Sequence, residues 1–211
     1  SCPSVMMRYQ IRSLLNQFLK AYPKVQIEME LTSRRVDVLH DDIDLAIRTN
    51  FQANEDSSIV VRDVIKTTHC LVASPELLNG RSLQFPTEIN DYPAIVLGTQ
   101  KPHYQWLLHH TGSQEQIEIP LEPRIKSNDL AGVYYCVIDG LGIADLPYLT
   151  VKEDIEAGRL IHLLPDWCSN VGTVQLVYAS RKGQRLVMEK LVEHLVEGLR
   201  ANAENHQGYT L

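Results

Sequence analysis

The positions of apolar and polar residues predict helices and strands that alternate along most of the chain. Between Tyr9 and Tyr22 apolar residues recur at helical spacing, and Pro23 follows them. This apolar face consists of Ile11, Leu14, Leu15, Phe18 and Leu19. The next segment, VQIEMEL at 25–31, alternates apolar with polar residues and predicts a strand buried on one side.

A β-α-β unit is predicted from the residues that follow. The segment RRVDVLHD at 34–41 is interpreted as a short helix, and the apolar block IDLAIRT at 43–49 as a central strand. Together with the segment at 25–31, this order has the spacing of a right-handed parallel unit.

The middle of the chain predicts a long strand, a region of short strands and a second helix. Residues 58–74 are rich in β-branched residues and predict an extended segment that Pro75 ends. From 75 to about 125 the chain contains several prolines and short strands such as AIVL. Helical spacing returns at 128–141, with Asn128 as the predicted N-cap and Asp129 complementing the helix N-terminus.

The stretch DGLGIADLP at 139–147 contains two glycines, which raises the question of a phosphate-binding loop. A dinucleotide fingerprint requires three glycines that follow a strand and precede a helix. Here the glycines follow a helix and precede the short strand GIADLP, and the third glycine is missing. The pattern therefore predicts that Gly140 ends the helix with a positive φ.

The remaining elements are GRLIHLLPDW at 158–167, TVQLVYAS at 173–180 and a closing helix around 188–199. Because strands interleave with helices throughout, the predicted fold class is α/β. Two extended stretches, near 70–75 and 176–181, are candidates for connections between lobes. The predicted lobes are residues 1–73 with 180–211, and residues 74–179.

Composition and charge exclude several kinds of function. The formal net charge of −6 and the absence of a basic run argue against a DNA-contacting surface on this chain. No apolar run reaches the length of a membrane span, so no membrane association is expected. The abrupt start without Met is interpreted as that of a fragment of a longer protein.

The cysteines and histidines predict no metal site and no cofactor. The four cysteines are far apart and form no CxxC pair, which favours free thiols and a cytoplasmic location. His109 and His110 are adjacent, so on a strand they point to opposite faces. Signatures of enzymes such as GxSxG, the P-loop and HExxH are absent from the sequence.

Several segments together resemble the effector-binding domain of LysR-type transcriptional regulators. They are FLKAYPKVQIEM, DDIDLAIRTN, LVASPELL, FPTEINDYP, QWLL, IKSNDLAG, DGLGIADLP, GRLIHLLPDW and VQLVYASRKG, and they occur in this order. The resemblance covers essentially residues 1 to 200. It implies two Rossmann-like lobes joined by two crossover strands, similar to type 2 periplasmic binding proteins. It also implies a winged helix-turn-helix in the full-length protein that this chain does not contain.

The resemblance implies a small effector bound between the lobes. Carried over to this chain, the ligand-binding residues of the first lobe are Ser4, Val5, Met6, Thr32, Ser33, Arg48 and Thr49. Those of the second lobe are Ser127, Asn128, Asp129, Ile143 and Asp145. An arginine at a strand end with hydroxyl groups nearby suits a carboxylate, so the predicted effector is anionic.

Structural roles for the same residues remain open. Arg48 is equally well explained by an ion pair with Asp42, Asp44 or Asp63, and the hydroxyl, amide and carboxylate groups by capping. Cys168, beside Trp167 in a polar turn, is the candidate redox-sensing thiol, whereas Cys70 and Cys136 are expected in the core.

The family pairs effector domains head to tail, which implies a homodimer or tetramer here. The helix of Tyr9–Tyr22 would pack beside the helix beginning at Asn128 of the second copy. Two alternatives of other classes remain: a periplasmic solute-binding protein of a transporter, and an enzyme on the same scaffold. The sequence identifies neither the effector nor the genes that a regulator would control.

Overall fold

The computed structural model describes residues 1–50, 59–98, 103–169, 171–180 and 186–204. The chain divides into two compact units, Ser1–Lys66 with Gly172–Thr210, and Thr67–Val171. The sequence-based boundaries, 73/74 and 179/180, were placed at the ends of the two extended stretches. The observed boundaries lie inside one long strand and at the start of the other. A strand that continues from one unit into the other places the boundary within an element, so the end of an extended stretch does not mark it.

The first unit contains both ends of the chain. Its elements are α1 (Ser4–Met6), a π-helical segment (Met7–Ile11), α2 (Arg12–Ala21), β1 (Ala46–Asn50), the first part of β2 (Ile59–Ala73), most of β10 (Val171–Ala179) and α6 (Leu186–Glu204). The three helical segments at the start are continuous and together form the first helix. It begins earlier than the predicted start at Tyr9.

The second unit contains the rest. Its elements are the end of β2, α3 (Pro75–Leu78), a 3-10 helix (Pro86–Asp91), β3 (Ala94–Leu97), β4 (Tyr104–His110), β5 (Gln116–Leu121), β6 (Pro123–Ser127), α4 (Leu130–Ile138), β7 (Ile143–Pro147), α5 (Tyr148–Glu156), β8 (Ile161–Leu163) and β9 (Trp167–Cys168). No helix among the described residues combines the length and the apolar character that crossing a membrane requires.

In the first unit β1 has backbone partners on both sides. It is antiparallel to β10, with Ile47 opposite Leu176, and β10 lies beside β2. On its other side, the amide of Ile47 donates to the carbonyl of Ser1 at 2.9 Å. Hydrogen bonds on both sides agree with the central strand predicted for IDLAIRT, although the observed strand begins only at Ala46.

Two predicted elements of the first unit are wrong. Residues 25–31 form no strand, because among the described residues only Cys2 pairs with this segment, through an isolated parallel bridge to Leu31. Residues 34–41 form a turn and not a helix. The side chains of Asp37 and Asp41 accept hydrogen bonds from backbone amides there, which competes with helix formation. The parallel crossover of this unit therefore runs from Cys2 through the first helix to Leu31.

The helices of the first unit cover one face of its sheet. Apolar side chains of the first helix and of α6 pack together with Ile47, Val174 and Leu176. His194 Nε2 of α6 donates to the carbonyl of Leu14 at 2.8 Å, which fastens the two helices to each other.

The second unit is built on a sheet in which β3 lies between β6 and β7, all three parallel. Strand β2 is antiparallel to β7, and β8 is antiparallel to β2. Helices α4 and α5 contribute Val133, Val137 and Val151 to the core on one face. On the other face the core includes side chains of β4 and β5, among them Trp106 and Ile119.

The ends of α4 show one prediction that agrees with the structure and one that does not. Gly140 follows the helix with φ 74°, as its position in DGLGIADLP predicts. The N-cap is Asp129 and not Asn128, because the Asp129 carboxylate accepts the amide of Gly132 at 3.3 Å. The predicted helix start is therefore corrected by one residue.

Candidate functional site

Arg48 and Thr49 of β1 lie on opposite faces of the sheet in the first unit. Thr49 Oγ1 is 3.8 Å from the sulfur of Met6, on the face that the helices cover. Arg48 is opposite Gln175 in the β1–β10 register, on the other face. Successive residues of a strand alternate in direction, so the structure does not bring the arginine and this hydroxyl together.

Arg48 is a half-buried cation with another cation nearby. Burial lowers the pKa of its guanidinium, and the positive charge of Arg35 lowers it further. Its cross-strand neighbour Gln175 is buried and donates to Asp63 at 2.8 Å. Asp63 was one of the candidate structural partners of Arg48. Sequence reasoning missed Gln175. Its position opposite Arg48 depends on the pairing of β1 with β10, two strands that are more than a hundred residues apart in sequence.

Ser4 and Thr32 both lie next to the backbone bridge between Cys2 and Leu31 in the first unit. The amide of Thr32 donates to the Cys2 carbonyl at 3.0 Å, and Ser4 begins α1 two residues later. Thr32 Oγ1 accepts the amide of Arg34 at 3.2 Å, so this hydroxyl has a turn-capping role.

The other residues near this bridge that were predicted to bind a ligand are either exposed or buried. Ser33 is exposed. Val5 and Met6 are 5% and 7% exposed, and their side chains belong to the core. Only the backbone of these two residues remains for contact with a ligand.

In the second unit Ser127 and Asp129 form a closed capping arrangement at the start of α4. Ser127 Oγ donates to the Asp129 carbonyl and accepts from the Asp129 amide, both at 3.0 Å. The amide of Gly98 donates to the Ser127 carbonyl at 2.6 Å. Asn128 is exposed between them. Capping accounts for these contacts.

Asp145 and Ile143 of β7 have very different environments. Ile143 is fully buried, so its side chain belongs to the core, and its contact with a ligand stays a prediction. The carboxylate of Asp145 accepts Ser169 Oγ at 2.6 Å and lies 3.2 Å from His69 Nδ1. Sequence reasoning missed both partners, which come from β2 and from the segment after β9.

The Ser169–Asp145–His69 group does not have the geometry of a hydrolase. In a Ser-His-Asp triad the serine hydrogen-bonds the histidine, which acts as its base. Here the carboxylate lies between the serine and the histidine. The described residues also contain no group of three His, Cys, Asp or Glu side chains placed to hold a metal ion.

Burial makes the thiols less acidic. It raises the pKa of Cys168, to which the negative charge of Asp145 also contributes, and it raises the pKa of Cys2 to about 12. A redox-sensing thiol needs the opposite shift. The pKa of Cys70 is also raised by burial.

Comparisons with known proteins agree on one family. Residues 1–200 match the LysR substrate binding domain. The HTH-type transcriptional regulator PtxR of Pseudomonas aeruginosa is 27% identical over 202 residues, covering 92% of this chain and 63% of that protein. The uncharacterized HTH-type regulator YhjC of Escherichia coli is 30% identical over 174 residues, covering 80% of this chain and 56% of that protein. The chain thus spans less than two thirds of these curated relatives.

Solved structures share the fold at low sequence identity. The regulatory domain of CrgA from Neisseria meningitidis has a TM-score of 0.81 at 21% identity, covering 94% of this chain and 96% of that one. The regulatory domain of AphB from Vibrio vulnificus has a TM-score of 0.74 at 24% identity, covering 93% and 94%. The fold is therefore the two-lobed α/β fold of such regulatory domains, as predicted. From its match over residues 1–200, the chain belongs to the LysR substrate-binding domain family.

Proposed function

We propose that this chain is the effector-sensing and oligomerisation part of a bacterial transcriptional regulator. The observation that carries the proposal is the family match over residues 1–200, together with relatives that are HTH-type transcriptional regulators. In the full protein, DNA binding belongs to an N-terminal winged helix-turn-helix outside this chain. The net charge of −6 on this chain is consistent with that division of labour. A regulator of this kind works in the cytoplasm.

The effector is a small anion held in part by Arg48. The guanidinium is half-buried and already experiences the positive charge of Arg35, so the negative charge of a bound carboxylate would offset both the cost of burying the cation and the like-charge repulsion. The planar guanidinium offers two parallel donors to a carboxylate. In the second unit, Asn128 and the other groups at the start of α4 supply neutral polar contacts.

Regulation follows from a difference in affinity. The effector shifts the arrangement of the regulator only as far as it binds one arrangement better than another. A solute-binding protein of a transporter is not favoured, because the relatives found are transcriptional regulators. No catalytic activity is proposed, since known members of the family regulate transcription.

A thermal-shift screen of carboxylates against neutral analogues tests the effector. At one hundred times its Kd a ligand adds about 2.7 kcal/mol of stability. For a chain of this size that corresponds to a rise of roughly 5–10 °C in Tm. We expect a rise with carboxylates that Arg48→Ala abolishes.

Arg34→Ala is the matched control, because Arg34 is an exposed arginine of the same unit that pairs with Asp41 and Glu30. This variant should keep the ligand response. A response to neutral compounds alone, or an equal loss in both arginine variants, would refute binding of an anion at Arg48.

A further inference from the structure

Three polar side chains of the second unit meet in a largely buried site. Ser169 is 3% exposed, and the side chains of Asp145 and His69 are 9% and 13% exposed. One oxygen of the Asp145 carboxylate accepts Ser169 Oγ at 2.6 Å, and the other lies 3.2 Å from His69 Nδ1. Since a carboxylate only accepts, each oxygen holds one donor from a different segment.

The two donors come from the two places where the chain passes between the units. His69 of β2 follows the boundary between Lys66 and Thr67 closely, and Ser169 shortly precedes the boundary between Val171 and Gly172. Asp145 itself belongs to β7, inside the sheet of the second unit.

One ladder within the second unit ends near each donor. The described β2–β7 ladder ends at the pair of His69 and Pro147, and the β9–β4 ladder ends at Cys168. At these ladder ends the Asp145 carboxylate adds a side-chain contact from β7 to each of the two segments. We infer that Asp145 is a clamp, which fixes the two connecting segments of the chain to the sheet of the second unit.

A clamp explains why a buried carboxylate occupies this position. Burying a carboxylate is costly, and an apolar residue would contribute more to stability if packing were all that mattered. An apolar residue would not hold two separate segments in a defined direction. The inference concerns the unliganded chain and does not depend on the identity of an effector.

Asp154 provides a matched control in the same unit. Its side chain is 6% exposed and accepts Tyr134 Oη at 2.7 Å and Arg159 Nε at 2.6 Å. Like Asp145, it therefore contacts one partner with each of its two carboxylate oxygens. Its partners lie in α4 and just after α5, and not at a boundary between the units.

Hydrogen–deuterium exchange of the whole chain tests the clamp. In Asp145→Ala we expect the amides of 67–70 and 167–169 to exchange roughly tenfold faster or more, as for the loss of a hydrogen bond to a charged group. The other strands of the second unit should keep their rates. Asp154→Ala should accelerate exchange around α4 and α5 and leave the two connecting segments unchanged.

Variants that remove only one of the two partners of Asp145 keep the inference testable if Asp145→Ala fails to fold. Ser169→Ala should accelerate exchange at 167–169 and spare 67–70, whereas His69→Phe should do the reverse. Unchanged rates at both segments would overturn the clamp. So would a uniform acceleration across the second unit, because that result would make Asp145 an ordinary contributor to stability.

Discussion

Asp37 and Asp41 organise an exposed turn of the first unit. The amide of Leu39 donates to Asp37 Oδ1 at 2.9 Å, and the amide of Asp37 donates to Asp41 Oδ2 at 3.0 Å. His40 Nδ1 lies 2.8 Å from the other oxygen of Asp37. These local bonds explain how a segment with helical spacing adopts a turn, since short acidic side chains offer the backbone alternative partners.

This turn should lose stabilising interactions both when the pH rises and when it falls. The hydrogen bond to Asp37 raises the pKa of His40 above its ordinary value of 6.5, so its stabilising contribution is complete below 6.5 and disappears as pH rises through the raised pKa. The hydrogen bond from His40 lowers the pKa of Asp37 below 3.8, so that contribution is present above 3.8 and disappears as pH falls through the lowered value.

NMR titration of the His40 ring and of the Leu39 amide measures this dependence. We expect the Leu39 amide shift to change in acid and again near the pKa of His40. In His40→Gln the second change should vanish and the first should remain. A His40 pKa at or below 6.5 would show that the pair with Asp37 does not form in solution.

The candidate residues themselves were only partly predictable. The start of α4 was predictable to within one residue because capping residues, a following apolar run and Gly140 are local signals. The partners Gln175, His69 and Ser169 were missed. Each contacts a residue far away in sequence, and no local pattern reports such a contact.

At the scale of elements, local patterns correctly predicted the segments whose backbone forms a strand ladder or a regular helix. The long strand β2 and the helices α4 and α6 were predicted because their apolar spacing matches their burial. Residues 25–31 have the alternation of a strand, but Met29 and Leu31 are about half exposed, at 52% and 51%. Alternation alone does not supply the neighbouring strand that a ladder needs.

Gly142, between α4 and β7, controls the approach of this connection to β3. A Cβ at this position would collide with the carbonyl oxygen of Pro93 and would lie 2.9 Å from Ile95 Cγ1. The same carbonyl accepts the amide of Ile143 at 2.8 Å, so the backbone has little freedom to move away.

We expect Gly142→Ala to lower the free energy of unfolding by about 1–3 kcal/mol, as overpacking in a core does. Urea denaturation followed by circular dichroism measures the change. Gly112→Ala is the control, because its Cβ would meet only the ring of the half-buried side chain of His110, at 3.3 Å. That variant should stay within about 0.5 kcal/mol of the wild type. Equal stabilities of the two variants would contradict the steric role of Gly142.

At the scale of the whole molecule, the α/β class followed from the alternation of elements, and the two-lobed fold from the resemblance. The boundaries between units did not follow from either. Strand β2 passes through the boundary at Lys66 without a break, and β10 begins just before the boundary at Gly172, so neither boundary coincides with the end of an element. Contacts between distant segments define these boundaries.

A head-to-tail homodimer, which the family resemblance implies, is expected to cover apolar side chains that are exposed in the single chain. Met29 and Leu31 are exposed in the first unit, and Tyr135 of α4 is 47% exposed in the second. A head-to-tail pair would bring the first helix beside α4 of the other copy. Burial of an aromatic side chain at the centre of an interface commonly contributes about 2 kcal/mol or more to association.

Tyr135→Glu should therefore weaken dimerisation by roughly thirtyfold or more, because 1.4 kcal/mol corresponds to a factor of ten in Kd. Sedimentation equilibrium over a series of protein concentrations measures the two dissociation constants. Phe85→Glu is the control, since Phe85 is 68% exposed but lies outside both proposed surfaces, just before the 3-10 helix. If Phe85→Glu dissociates the dimer and Tyr135→Glu does not, the interface lies elsewhere. A wild-type chain that stays monomeric at every concentration would remove oligomerisation from the function of this part of the regulator.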